Sequence, residues 1–226
     1  MSQQWSQDGL YIGAFASLIG LNILALVILQ TIQFPKVSLS HQAPKSDPLS
    51  AIVKAPNFVG AVFAAMVAYA VMNILMTATP LAMIGCGFDF TKAAGVIEWH
   101  VLGMFVPAFF TGSLIEKFGS RMMILAGGIL FVFCIAINIH GESIWHFRAA
   151  LVLLGVGWNF MFIAATGLFS QSYRPQNKAK AQAFNEFVVF GCVTVTALLS
   201  GWLESTVGWQ NLNIDVLPSV LAVILL

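Results

Sequence analysis

The side chains of this sequence equipped for chemistry sit inside otherwise apolar runs, where a polar group needs a partner or a cavity. Asn73 lies about sixteen residues into one run and Asn159 about fifteen into another. At a helical rise of roughly 1.5 Å per residue both fall near the middle of a bilayer. Thr77 shares a helix face with Asn73, and Trp158 offers an aromatic wall beside Asn159. These four residues suit a cavity that binds a solute by hydrogen bonding and stacking. The competing reading is hydrogen bonding between helices, ordinary for Asn in membranes and worth roughly 1 kcal/mol. Glu98 and His100 occupy a third run. A carboxylate shielded from water can carry a proton, and an unperturbed imidazole titrates near neutrality, so this pair is the candidate for proton coupling. The alternative is a solvated carboxylate at a cavity mouth. Gln182 and Glu186 share a face at i,i+4 near the start of a later run, with Asn185 between them.

Other chemistry is not expected. No G-x-S-x-G, H-E-x-x-H or Walker pattern occurs, so the chain does not read as an enzyme. Cys86, Cys134 and Cys192 stand singly, without CxxC or nearby His at ligand spacing, so neither a disulfide nor a metal site is expected, and no cofactor is implied. A net charge of +1 gives no nucleic-acid footprint.

The elements that must position these residues follow from composition. The chain is 59% apolar and 8% charged, too little charge for a water-compatible surface. Seven apolar segments, 9–34, 57–83, 95–115, 121–139, 144–170, 181–204 and 212–226, have no sustained period of two. They therefore predict an all-α polytopic membrane bundle and not a barrel. Pro80 and Pro107 are expected to kink their helices. Residues 35–56 form the one long connection, rich in Pro, Ser and Lys, and read as a flexible linker between a leading helix (1–34) and six compact helices (57–226). Eight of the ten basic residues lie in three alternate loops: Lys36, Lys45 and Lys54; Lys117 and Arg121; Arg174, Lys178 and Lys180. Cytoplasmic loops are basic, so 35–56, 116–121 and 171–180 are expected inside the cell membrane and the N-terminus outside. His140, Glu142, Trp145, His146 and Arg148 then read as an outer interfacial belt.

Between the third and fourth segments the turn runs Gly112, Glu116, Lys117, Gly119, Arg121. Gly112 would let helix backbones approach, and Gly119 would permit the reversal. Glu116 would meet the next helix's N-terminal dipole, and Arg121 would pair with Glu116 or a lipid phosphate. This spacing resembles the loop signature of the major facilitator superfamily of membrane transporters, with Glu where Asp is usual and Ser120 where a base is common. Gly155-Val-Gly157-Trp158-Asn159-Phe160 and Tyr173-Arg174-Pro175, followed by Lys180 to Glu186, are similar to stretches of the same family.

The resemblance implies half of a twelve-helix fold, residues 9–34 matching the sixth helix and 57–226 the seventh to twelfth, the last clipped. It implies alternating access to a small solute, with coupling to protons, and a partner in the missing N-terminal half of the same transporter. It gives the Gly112–Arg121 turn a cytoplasmic gating role, and gives Gln182, Asn185 and Glu186 an inner-gate role beside a plain capping one. The alternative function is a non-transporting membrane fragment or scaffold.

Overall fold

A computed structural model describes residues 2–32 and 46–226; Lys36, Lys45 and the rest of 33–45 lie outside the described residues. The chain forms two units, Met1–Ala43 and Pro44–Leu226. The described residues of the first form α1 (Ser2–Thr31), exposed from Phe15 onward.

The second unit contains α2 (Leu49–Ile52), α3 (Pro56–Gly85), α4 (Phe90–Phe105), α5 (Ala108–Phe118), α6 (Ser120–His140), α7 (Ile144–Ser170), α8 (Lys178–Val207) and α9 (Trp209–Ile224). Each of the seven apolar segments holds a helix, and among the described residues four helices are long and apolar enough to cross a membrane, or five counting α4 and α5 as one bent span. Pro56 starts α3, where its missing N–H is no loss. Asp89 caps α4 by accepting from the Lys92 backbone N–H at 2.9 Å. That bond, with the Lys92 ammonium 3.5 Å away, holds the Asp89 carboxyl below its ordinary range.

The two prolines act differently. α3 runs unbroken through Pro80. Pro107 divides α4 from α5 with a bend of 41°, because its ring removes a donor and crowds the preceding turn. Two single-residue joints need glycine. Gly119 links α5 to α6 at φ 84°, and Gly208 links α8 to α9 at φ 80°; this left-handed region costs another residue roughly 1–2 kcal/mol.

α7 is central and packs against α6, α4 and α3, while α3 also packs against α8. Its Gly155 and Gly157 face opposite neighbours. A Cβ on Gly155 would lie 2.5 Å from the His100 carbonyl on α4, and one on Gly157 would lie 2.9 Å from the Gly127 carbonyl on α6. Small residues thus bring three backbones together, the usual device where no aqueous hydrophobic effect drives packing. α8 is the exception. Its most apolar stretch is only 11% buried, against 56% for α3 and α7, and it presents Phe187 and Leu198 outward.

The described end of the linker is folded, which corrects the reading of 35–56 as flexible over its last ten residues. The Asp47 backbone N–H donates to Asn177 Oδ1 at 2.9 Å, and Asn177 Nδ2 donates to Asp47 Oδ2 at 2.8 Å. Lys180 Nζ donates to the Asp47 carbonyl. Ile52 then packs with Phe58, Val62, Phe169 and Ala181. Linker composition hid one apolar anchor and one side-chain clamp.

Candidate functional site

Three helices bring aromatic rings together around Tyr69 of α3. Trp158 and Phe162 of α7 meet its ring edge-on, with centroids at 5.1 and 4.7 Å, and Phe190 of α8 lies at 5.8 Å. Trp158 and Phe162, one helical turn apart, are nearly parallel at 5.2 Å. The result is an aromatic wall built of one stacked pair and a tyrosine perpendicular to it. Trp158 Nε1 is buried with no hydrogen-bond partner, a donor that ordinarily finds one. Phe190 is 49% exposed, so the cluster reaches the surface of the unit along α8.

Tyr69, Asn73 and Thr77 recur every four residues, so they line one face of α3. Asn73 Nδ2 donates to Thr196 Oγ1 at 3.0 Å and to the Val193 carbonyl at 3.2 Å, both on α8. Its amide oxygen accepts no hydrogen bond from the described residues. Thr77 is half-buried. Of the four residues expected around a cavity, Trp158, Asn73 and Thr77 retain some exposure or an unused polar atom.

Asn159 does not, which corrects its reading as a cavity residue. It is 1% exposed. Its Nδ2 donates to the Met104 carbonyl at 2.7 Å and its Oδ1 accepts from Thr111 Oγ1 at 2.5 Å. All of its polar capacity toward α4 and α5 is committed at the break beside Pro107.

Glu98 and His100 are likewise separated. Two residues along a helix is more than half a turn, so Glu98 faces outward while His100 is wholly buried. Its Nδ1 donates to the Leu151 carbonyl of α7 at 2.9 Å, leaving Nε2 without a partner. The structure therefore does not bring these two proton-coupling candidates together: His100 is held against a backbone carbonyl and Glu98 faces away from it.

The charged turn also departs from expectation. Gly112 is exposed, with open space where a Cβ would stand, so no described helix lies close against it. Arg121 Nη2 donates to Asn57 Oδ1 at the start of α3 at 3.2 Å and not to Glu116. Glu116 is exposed in the last turn of α5, and Lys117 rests over the Phe118 ring. Asn57 and Arg121 border an apolar cavity of about 430 Å³ between α3, α6 and α9, which shares no residue with the Tyr69 cluster. Gln182 and Glu186 are exposed on α8, and Asn185 buries an unpartnered Oδ1.

Sequence reasoning missed Tyr69, Phe162 and Phe190. The available signal was the spacing of Tyr69 four residues before Asn73, and of Phe162 four after Trp158. It also missed the buried pair Asn138 and Asn213, 2.8 Å apart across α6 and α9. No group of three or more His, Cys, Asp or Glu among the described residues could hold a metal ion.

Residues 61–226 match the family model described as Major Facilitator Superfamily. The chain belongs to this superfamily. It is a multi-pass membrane protein of a transporter family, and the helical bundle is that of a facilitator half. The facilitator chain is 39% identical over 219 residues to the riboflavin transporter RfnT of Brucella anthropi, covering 96% of this chain and 55% of the relative. It is 30% identical to the uncharacterized MFS-type transporter YddS of Bacillus subtilis, covering 92% of this chain and 50% of the relative. A drug efflux pump, JefA of Mycobacterium tuberculosis, is 26% identical over 128 residues, covering 54% of this chain and 25% of the pump. The chain spans about half the length of the first two relatives. No solved structure matches it.

Proposed function

We propose that this chain forms one wall of a secondary transporter that moves a small planar solute of the riboflavin type by alternating access. The observation that carries the reading is the convergence of Tyr69, Trp158, Phe162 and Phe190 from three helices, with the free Asn73 amide oxygen one turn from Tyr69. A stacked Trp–Phe surface suits a flat heteroaromatic ring, and an acceptor oxygen suits that ring's N–H donors. The 39% identity to a riboflavin transporter over 96% of this chain supports the same solute class. Solute sites in such carriers lie near the bilayer midplane between repeats, the depth of Tyr69 and Asn73 in a 30-residue helix.

The exposed faces of α5 and α8, with Phe109 at 85% and Phe187 at 79% exposure, are assigned to contact with further helices of the kind its longer relatives carry. The basic loops are assigned to the cytoplasm and the N-terminus to the outside. Proton coupling is assigned to Glu98, without His100. The test is uptake of labelled riboflavin by cells expressing the complete reading frame that encodes this chain. Concentrative uptake that a protonophore collapses is the expected result; uptake equal to vector-only cells overturns the assignment.

A further inference from the structure

We propose that α5 is a hinged arm and that the hydrogen bond between Asn159 and Thr111 is the catch that holds it; the proposal rests on the carrier reading above. A broken span leaves backbone groups to satisfy. The last carbonyls of α4 lack intrahelical donors, and Pro107 offers no N–H to the carbonyl four residues before it. Asn159 Nδ2 takes the Met104 carbonyl at the end of α4, and Asn159 Oδ1 takes the Thr111 hydroxyl one turn into α5. One α7 side chain therefore spans the break.

The two half-helices are held to α7 very differently. α4 is clamped by backbone. Gly103 lies against Val152, Gly155 against His100 and Met104, and the His100 imidazole donates to Leu151. In α5 the one buried residue is Thr111, while Ala108, Phe109, Phe110, Gly112 and Ser113 around it are exposed. The arm that ends in the charged Glu116–Arg121 turn thus has one fully buried residue, Thr111, bonded to Asn159, with Leu114 and Ile115 half-buried against the core beyond it.

The anchor has two settings. Thr111 Oγ1 lies 2.5 Å from Asn159 Oδ1 and 2.8 Å from the Pro107 carbonyl. A hydroxyl carries one proton. Donated to Asn159 it ties α5 to α7; donated to Pro107 it closes within the arm and releases it. Both settings keep the threonine satisfied, but the released one leaves the buried Asn159 Oδ1 without its donor, a cost that biases the arm toward the tied setting. Asn159 is in this reading a positioning residue, acting on the turn through α5.

The test uses the complete protein with Ser113→Cys, an exposed thiol reporter on the arm, and compares Thr111→Val, Thr111→Ser and Asn159→Leu. Val keeps the shape and removes the hydroxyl; Ser restores it. The expected result is a three- to twentyfold change, roughly what one interhelical membrane hydrogen bond supports, in both the labelling rate of the reporter thiol and turnover. It should appear in Thr111→Val and Asn159→Leu, with KM within about twofold, rescue in Thr111→Ser, and no further change in the double variant. Reduced folded yield with unchanged labelling and turnover per folded molecule would make the bond merely structural and overturns the catch. Labelling needs no solute, so a wild-type protein that fails to transport refutes the carrier reading while the arm is still judged by its labelling rates.

Discussion

Asn73 of α3 donates across to Thr196 of α8 at 3.0 Å, and Asn159 of α7 accepts in turn from Thr111 of α5. In each triplet of spans the first helix is thereby braced to the second helix of the other triplet, by the same Asn–Thr pair. A double-mutant cycle on Asn73→Leu and Thr196→Val should return a coupling of about 0.6–2 kcal/mol in bilayer or detergent unfolding, the span measured for interhelical bonds. A coupling near zero would show that the crossing of α3 and α8 is set by packing alone.

Three glycines should respond to alanine in three ways. At Gly155 a Cβ lies 2.5 Å from a carbonyl oxygen and 2.8 Å from a backbone nitrogen on α4, so Gly155→Ala must push two helices apart at a cost of about 1–3 kcal/mol. Gly119→Ala meets no neighbour but holds φ 84°, with an expected loss of roughly 1–2 kcal/mol. Gly112→Ala meets neither obstacle, and in an exposed helix position should be neutral or stabilising by up to about 1 kcal/mol. Thermal unfolding of the three variants checks the order.

Those glycines also show what the sequence could and could not tell. Apolar runs fix the spans because backbone in a bilayer must be helical, and Pro107 announces a break by its own chemistry. Which glycine meets a neighbour depends on the rotation of its helix, and a uniformly apolar run does not encode that. The same gap explains Asn159. Its depth was readable, but its direction, toward Met104 and Thr111 and away from any cavity, depends on packing partners about fifty residues away. Glu98 and His100 looked like a pair along the chain, and the 100° step of a helix set them on opposite sides. Gly208 was within reach, as a lone glycine between two apolar runs, like Gly119.

The aromatic wall gives a direct expectation on solute affinity. Tyr69→Ala removes the edge contacts that hold Trp158 and Phe162 in their stacked arrangement, and Tyr69→Phe keeps them. With aromatic pairs worth about 0.5–1.5 kcal/mol, Tyr69→Ala should raise KM for the proposed riboflavin-type solute by about two- to tenfold and Tyr69→Phe by less than twofold. An equal effect of both substitutions would assign the role to the phenol hydroxyl and not to the ring.

The clamp between Asp47 and Asn177 should control exposure of the linker's end. Asn177 is 4% exposed; its oxygen accepts from the Asp47 backbone N–H and the Ser46 hydroxyl, and its nitrogen donates to the Asp47 carboxylate. Asn177→Ala removes all three bonds but leaves the Lys180 contact and the Ile52 anchor. Limited proteolysis between Lys54 and Asn57 should then accelerate several-fold through local opening, with little change in global unfolding. An unchanged cleavage rate would mean that Ile52 alone seats the segment.

Glu98 stands apart from the buried network, and its variants separate coupling from binding. Outward exposure and distance from His100 leave its carboxylate without a described partner. If it carries the coupled proton, Glu98→Gln should retain solute exchange while losing accumulation driven by a pH gradient, because the amide fills the space but cannot take up or release a proton. Exchange and accumulation measured on the same reconstituted vesicles decide the matter. Loss of both would place Glu98 in solute binding or folding, and retention of both would move the coupling proton to another residue.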